Sequence, residues 1–171
     1  MKGLVLGAWC SVLGAVFCGC ATDYGWRSSV PEGMRTVSVP TFRNESVVNE
    51  LGAVATRQLL REFQREGTFR IRAVGDAAVE VQGVVKSASQ TTTAYDRRIY
   101  GRVSSSEFRA VAEVSVIDKR AGKVLVDNRK YVATTTFTSG QDRTTAMRDA
   151  SGRLADDLAR QVVRDLLNLK W

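Results

Sequence analysis

The segment from Arg143 to Leu169 has the clearest periodicity in this 171-residue chain, and it constrains the fold most strongly. Its apolar residues recur every three or four positions, which gathers them on one face of a helix. They are Met147, Ala150, Leu154, Leu158, Val162, Leu166 and Leu169. Because an apolar stripe must be buried against a second layer, the segment predicts a long helix packed on a sheet. We interpret Gly152 as a position of close packing on that sheet.

A second helix and several strands precede this segment. A helical pattern follows Asn44-Glu45-Ser46 and ends at Gly67, since glycine readily adopts the left-handed conformation that ends many helices. Alternating patterns typical of strands cover residues 35–42, 69–74, 76–93, 107–118 and 123–137. Pro40 lacks an amide hydrogen, so the first strand should be short or lie at an edge. The predicted fold is α+β, a two-layer sandwich with two α-helices packed on one face of a mainly four-stranded mixed β-sheet.

Charged residues on the last helix have a regular spacing. Asp149 and Arg153 are four residues apart, as are Asp156 and Arg160, with the acidic residue first in each pair. This arrangement stabilises a surface helix by a few tenths of a kcal/mol per pair. We therefore predict two ion pairs within the helix.

The composition excludes much of enzyme chemistry. The chain has no histidine, which removes Ser–His and Cys–His nucleophiles and every histidine-ligated metal site. No glycine-rich phosphate loop or CxxC pair occurs, and no pair of carboxylates stands out. We expect no catalytic residue, no metal site, no cofactor and no enzymatic activity. A hydrolase built from Asp, Glu, Ser or Lys is an alternative that rests only on the many acids and hydroxyls.

The net charge indicates the kind of partner. Lys and Arg number 25 against 18 Asp and Glu, a formal charge of +7, which favours phosphate, lipid headgroups or nucleic acid. The basic residues are dispersed, and an N-terminal export signal would separate the chain from nucleic acid. We therefore expect no nucleic-acid partner.

The first residues have the order of a secretory signal. Lys2 is followed by an apolar run that ends at Gly19, so residues 1–19 are interpreted as a signal peptide. An uncleaved anchor is the alternative, because no charge occurs from residue 3 to residue 22. Residues 20–34 would form the mature N-terminus and a linker, and residues 35–171 a single domain.

Phe17-Cys18-Gly19-Cys20 resembles the lipobox of bacterial lipoproteins. The resemblance implies that Cys20 is lipidated and becomes the first mature residue. Several fatty acyl chains, palmitate among them, would hold the protein to a membrane more firmly than one chain does. Ala21 follows the cysteine, and the resemblance to lipoproteins then implies the outer membrane, with the domain facing the periplasm.

A basic segment between two predicted strands is the best candidate for binding an anion. Arginine forks match phosphate oxygens, and tyrosine can contact sugar or acyl surface. The candidates are Arg97, Arg98, Tyr100 and Arg102, with Arg129 and Lys130 on a later strand. The alternative is a charged hairpin that prevents a sheet edge from aggregating.

The order of several motifs resembles the LptE family of lipopolysaccharide-assembly lipoproteins. The resemblance is carried by Cys20, Tyr24-Gly25-Trp26, residues 30–40, Leu59 to Phe63 with Gly67, residues 76–83, residues 118–125 and Leu154 to Leu158. It implies two helices on a mainly four-stranded sheet. It also implies a non-catalytic lipoprotein that occupies the lumen of the LptD β-barrel, assists its folding and binds lipopolysaccharide at the outer membrane.

The residues themselves agree with part of this picture. The strand halves Ser87–Thr93 and Thr134–Thr136 are rich in hydroxyls, as expected of a surface that lies in a water-lined lumen. An ordinary solvated sheet face would have the same composition. The remaining alternative is another periplasm-facing lipoprotein that acts as an adaptor in envelope assembly.

Overall fold

A computed structural model describes residues 30–95, 103–138 and 143–171 of the chain. After a short 3-10 helix at Glu32–Met34, the elements follow in the order β1, β2, α1, β3, β4, β5, β6 and α2. The strands are β1 Thr36–Ser38, β2 Arg43–Asn44, β3 Arg70–Ile71, β4 Val79–Tyr95, β5 Val103–Asp118 and β6 Lys123–Phe137. The helices are α1 Leu51–Glu66 and α2 Arg143–Leu167. The predicted α+β class is confirmed.

The sheet has six strands, so the prediction of a mainly four-stranded sheet is wrong. Its order is β3-β1-β4-β5-β6, and β2 pairs with β4 beyond the end of β1. The pairs of β1 and β2 are parallel, whereas β4, β5 and β6 form an antiparallel meander, so the sheet is mixed. The first predicted strand, residues 35–42, is short, as expected: β1 ends before Pro40, which cannot donate to the ladder. β2 begins only after the predicted strand, at Arg43.

Burial separates the two faces of the sheet. Along β5 every second residue is buried, including Phe108, Ala110, Ala112, Val114 and Val116. The strand register places Ala110 and Ala112 opposite buried residues of both β4 and β6. We call the face that carries them the core face and the opposite one the outer face. Both helices contribute buried apolar residues to the same core, including Leu59 and Phe63 of α1 and Leu154 of α2.

Gly67 and Gly83 occupy positions that require glycine, whereas Gly152 does not. Gly67 ends α1 at φ 82°, and its amide donates to the Phe63 carbonyl at 3.1 Å, as the sequence predicts. A Cβ at Gly83 would overlap the ring of Phe42, which lies over β4. A Cβ at Gly152 would meet nothing within 4 Å, so the interpretation of close packing there is wrong.

A buried hydroxyl joins helix α1 to Phe42, the residue before β2. The Thr56 side chain donates to the Gly52 carbonyl and accepts from the Phe42 amide, both at 2.9 Å. A Cβ at Gly52 would lie 2.6 Å from the Phe42 carbonyl oxygen, so only glycine allows this approach. The contact fixes where the chain leaves the sheet and enters α1.

The first described residues pack at one end of the sheet. Val30 is 1% exposed, and its carbonyl accepts from the Arg35 side chain at 3.2 Å. The backbone amide of Ala78 donates to the Thr36 hydroxyl at 2.9 Å, which places this segment beside the start of β4. A domain boundary at residue 35 stays a prediction.

Neither helix in the described part of the chain combines the length and the apolar character needed to cross a membrane.

Candidate interaction surface

The outer face of the sheet is polar with a few apolar side chains. Val132 of β6 is 38% exposed there, and it lies directly opposite the half-buried Val111 of β5. Around this pair the register gathers mainly hydroxyl, amide and charged side chains. They are Gln82, Ser87, Ser89 and Thr91 of β4, Glu107, Arg109, Glu113 and Ser115 of β5, and Lys130, Thr134 and Thr136 of β6. Such a face suits a hydrated interface better than a dry one.

Several charges on and beside this face are already paired. Lys130 lies 3.8 Å from Glu113, and Lys119 lies 3.5 Å from Glu80, whose side chain is only 6% exposed. Glu45 contacts Lys86 at 2.5 Å and Arg43 at 3.3 Å. The hydrogen bond from Lys86 lowers the pKa of Glu45, and the same bond raises the pKa of Lys86. The face therefore carries mixed charge rather than a continuous basic patch.

A polar cleft of about 350 Å³ crosses the outer face between Thr41 and Asn128. Gln82, Glu113 and Ser115 form part of its lining. Asn128 has a φ of 40°, and its amide donates to the Ser115 hydroxyl at 3.0 Å, which fixes a bulge in β6. The cleft offers donors and acceptors to a polar partner.

The candidate anion ligands on β6 point to opposite faces. Arg129 pairs with Asp165 of α2 at 3.1 Å, whereas Lys130 faces Glu113 on the outer face. Consecutive residues of a strand alternate between faces, so the two side chains do not form one site. Lys130 stands opposite Glu113 and Arg129 opposite Val114, ten and eleven residues along β5 from Val103. At about 3.3 Å per residue, both candidates therefore lie roughly 33 Å from the start of β5, the strand that follows the basic segment in the sequence.

Tyr131 joins Arg129 and Asp165 in a cluster between β6 and α2. Burial raises the pKa of the Tyr131 phenol to about 12, and the Asp165 carboxylate adds to the shift. The phenol is therefore neutral at physiological pH. The cluster attaches α2 to the sheet and has no free phosphate-binding fork.

The other predicted site residues lie outside the described residues. They are the lipidation candidate Cys20 and the anion-binding candidates Arg97, Arg98, Tyr100 and Arg102. Their roles stay predictions.

An apolar cavity of about 560 Å³ lies where the two helices begin, and we call it the helix groove. It was not predicted from the sequence. Val48, Leu51 and Val54 line it from the α1 side, and Met147 lines it from α2. Gln90 of β4 reaches it from the sheet and donates to the Ser106 hydroxyl at 3.1 Å. The sequence contains one sign of this cavity, because Val48 and Met147 extend the apolar stripes of α1 and α2 beyond the turns that are best buried.

Among residues 30–95, 103–138 and 143–171, no group of three His, Cys, Asp or Glu side chains could hold a metal ion.

Solved structures share this fold at low sequence identity. A candidate lipoprotein from Caulobacter crescentus superposes with a TM-score of 0.54 and 16% identity, covering 79% of this chain and 90% of the other. A minor lipoprotein from Acinetobacter baumannii gives 0.51 and 13%, covering 78% and 93%. A protein from Chlamydia trachomatis gives 0.52 and 14%, covering 79% and 96%. The architecture thus defines an α+β domain that occurs in bacterial lipoproteins.

The family model described as LptE, lipopolysaccharide-assembly, matches residues 34–166. The match extends from the 3-10 helix to the last turn of α2. This chain belongs to the LptE family, a family of non-catalytic assembly lipoproteins that are associated with the outer membrane. The resemblance found in the sequence is confirmed. No curated protein sequence matches the chain significantly.

Proposed function

We propose that this protein is a lipid-anchored outer-membrane lipoprotein that assists the folding of an LptD-type β-barrel, occupies its lumen and helps lipopolysaccharide assembly. The observation that carries the proposal is the family match over residues 34–166, which spans nearly all of the described domain. The LptE family is a non-catalytic assembly family, so a member acts through the surfaces with which it binds other molecules.

We infer that α1 and α2 cover the core face together and leave the outer face for the barrel wall. Helix α1 contacts β2, β3 and β4, α2 contacts β5 and β6, and the two helices contact each other. The outer face carries exposed hydroxyls such as Ser89, Thr91 and Thr134. Hydroxyls donate and accept, so they can match a polar lumen through direct or water-mediated bonds.

The lipid anchor and the lipopolysaccharide contacts rest on residues outside the described range. Cys20 would carry the acyl chains, and Arg97, Arg98, Tyr100 and Arg102 would contact phosphate and sugar. Arg129 and Lys130 could join them only by giving up their ion pairs with Asp165 and Glu113. We therefore rank them below the four residues of the basic segment as lipopolysaccharide ligands.

Co-expression with the LptD-type barrel of the same organism tests this proposal. Membrane extracts should yield the chain and the barrel together, and intact mass should show that the chain begins at Cys20 with acyl chains attached. A Cys20→Ala variant should lose the acyl mass and the firm membrane attachment, because a tether of several chains would be gone. Recovery of an unacylated chain without the barrel would contradict the proposal.

An adaptor role in another envelope assembly is the second candidate. It is favoured by the fold, which this chain shares with bacterial lipoproteins at only 13–16% identity. In that case the acylated chain would be recovered from membranes with a different partner and no barrel.

A further inference from the structure

One end of the sheet brings together segments that are far apart in the chain. β1 and β3 begin there in parallel, with Thr36 opposite Arg70. The hairpin between β5 and β6 lies at the same end, because it follows Asp118, which pairs with Val79 at the start of β4. The last residues are there too, since the Trp171 ring lies 6.1 Å from the ring of Phe69, just before β3. We call this end, formed by residues 30–36, 67–78, 118–124 and 168–171, the entry end.

The chain enters the domain at the entry end. Val30, the first described residue, is buried, and its carbonyl accepts from Arg35, the residue before β1. A Cβ at Gly33 would lie 2.8 Å from a guanidinium nitrogen of Arg120, so the hairpin side chain lies over the entering segment. Cys20 precedes Val30 by ten residues, which span at most about 36 Å when fully extended. A membrane that held acyl chains on Cys20 would therefore be close to this end.

Positive charge is concentrated at the entry end. Its residues include seven basic and three acidic ones, a net charge of +4, whereas the whole chain has +7. Asp118, one of the three acids, is buried and accepts from the amides of Arg120 and Ala121. The other two, Glu32 and Asp76, are exposed. The end thus has an excess of positive charge that can attract an anionic surface.

Five basic side chains at the entry end are exposed and form no ion pair with another of the residues that the structure describes. They are Arg70, Arg72, Arg120, Lys123 and Lys170. Two large apolar side chains near them are also exposed, Val74 at 63% and Val124 at 51%. Basic groups interspersed with exposed apolar groups are typical of surfaces that lie on anionic membranes, where lipid phosphates bind the charges.

We propose that the entry end lies on a membrane surface, where its arginine and lysine side chains bind the phosphates of anionic phospholipid headgroups. Val74 and Val124 would enter the headgroup layer. The inference deepens the proposed function, because it rests on the lipid anchor at Cys20 for the choice of a membrane as partner. Acyl chains would hold the protein at the membrane, and the basic end would determine which way the domain points.

Contact with the membrane is compatible with a position inside a barrel. β5 has 16 residues and is about 53 Å long at about 3.3 Å per residue. The apolar band of an outer-membrane barrel is only about 25 Å tall. The sheet is therefore longer than the wall that would surround it. Its entry end would extend beyond the rim of the barrel to the level of the headgroups.

Vesicle binding by the unacylated mature chain tests the proposal. The chain begins at residue 20 and carries Cys20→Ala, so it has neither an acyl chain nor a cysteine. Co-sedimentation compares vesicles of phosphatidylcholine with vesicles that contain about one third phosphatidylglycerol. Binding to the anionic vesicles should be at least about tenfold tighter and should weaken as salt is added. Neither acylation nor a barrel enters this assay, so its failure is separate from failure of the proposed function.

Two pairs of charge reversals show whether the entry end is the part that binds. Arg72→Glu with Lys123→Glu reverses two exposed charges there and should weaken binding to the anionic vesicles at least about tenfold. Arg57→Glu with Arg148→Glu is the matched control, because it changes the net charge equally on exposed positions of α1 and α2. The control should weaken binding by no more than about threefold.

A fluorophore that responds to an apolar environment shows which end meets the membrane. Because the chain with Cys20→Ala has no cysteine, one label can be attached at Val124→Cys or, in a separate protein, at Val47→Cys. Val47 is 86% exposed and precedes α1, whereas the entry end lies beyond the last turn of that helix. The label at position 124 should shift to the blue on anionic vesicles, and the label at position 47 should not.

Four results would overturn the proposal. Equal binding to both kinds of vesicle would show that anionic headgroups are not recognised. Equal losses in the two charge-reversal pairs would show that only net charge matters. A blue shift at position 47 alone would place the other end of α1 on the membrane. Displacement from the vesicles by millimolar inorganic phosphate at constant ionic strength would identify a site for single phosphates instead of a surface.

Discussion

The two long sides of the sheet, along β4 and along β6, are covered differently. On β6, polar side chains of α2 cover the outward carbonyls: Gln161 donates to Val132 at 3.0 Å and Arg153 donates to Thr136 at 3.3 Å. We call this side of β6 the closed edge. On the other side, a strand among the described residues pairs with β4 as far as Val85, and the second half of β4 lies beside the helix groove. One long side of the sheet is thus covered by a helix along β6, whereas the other is paired with short strands along the first half of β4.

Shortening a core side chain of α2, the helix beside the closed edge, should have the largest effect on the stability of the fold. Leu154 of α2 is fully buried in the core. Leu154→Ala should lower the free energy of unfolding by about 3 kcal/mol, because apolar burial is lost and a cavity is left. Met147→Ala in the helix groove should cost about 1 kcal/mol, because Met147 is only partly buried. Urea unfolding measures both values. Equal losses would show that the helix groove is as well packed as the core.

The approach of β2 to β4 should be sensitive to a single methyl group. Gly83→Ala places a Cβ against the Phe42 ring and should destabilise the fold by roughly 2–3 kcal/mol. Gly152→Ala is the matched control, because its Cβ meets open space within a helix, and it should stabilise by about 1 kcal/mol. Thermal unfolding of the two variants gives the sign of each effect. A stable Gly83→Ala protein would mean that Phe42 can move without loosening β2.

Alkaline pH should destabilise the contact between β6 and α2 at Tyr131. Folding raises the pKa of Tyr131 from 10.0 to about 12, so the neutral phenol stabilises the folded state below pH 10. That stability, roughly 2–3 kcal/mol, should be lost as the pH rises from 10 to 12. Unfolding measured across this range should show the fall in the native chain and a smaller one in Tyr131→Phe. An unchanged fall in the variant would assign it to other groups.

Uncovering the closed edge should have the smallest effect on stability. Gln161→Ala removes one exposed hydrogen bond to Val132, at a cost of about 0.5–1 kcal/mol. Amide exchange at Thr134 should become faster, since the cover on that side is lost, and the Thr92 amide should not change. Arg57→Ala, an exposed change on α1, is the control and should leave both amides unaffected. Slower exchange at Thr134 would contradict the assignment of a cover to Gln161.

The helices and the long strands were predictable because their patterns are long and local. Residues 123–137 were predicted as a strand and form β6, and the α2 pattern begins at Arg143 as observed. The predicted pair of Asp156 and Arg160 is confirmed at 2.9 Å. Arg153, expected to pair within the helix, instead reaches Thr135 and Thr136 of β6. Helical spacing identifies possible partners on the helix, but it carries no information about a neighbouring strand.

The exact extent of the short strands and the binding surfaces were beyond local patterns. A strand was predicted at residues 69–74, and β3 forms there, but only Arg70 and Ile71 pair with β1. β2 has two residues, too few for a period, and it exists because β4 provides a partner. The helix groove depends on where two helix ends meet Gln90, a contact between residues far apart in the chain. Binding of the outer face to another protein likewise depends on a second molecule, so the sequence of this chain alone does not predict it.

Site-specific photocrosslinking tests the proposed barrel contact most directly. A photoreactive residue would replace Ser89 or Thr134 on the outer face, or Arg57 on the exposed side of α1, in membranes that contain the LptD-type barrel. We expect strong crosslinks to the barrel from Ser89 and Thr134 and weak ones from Arg57. Crosslinks from Arg57 alone, or from none of the three positions, would contradict it.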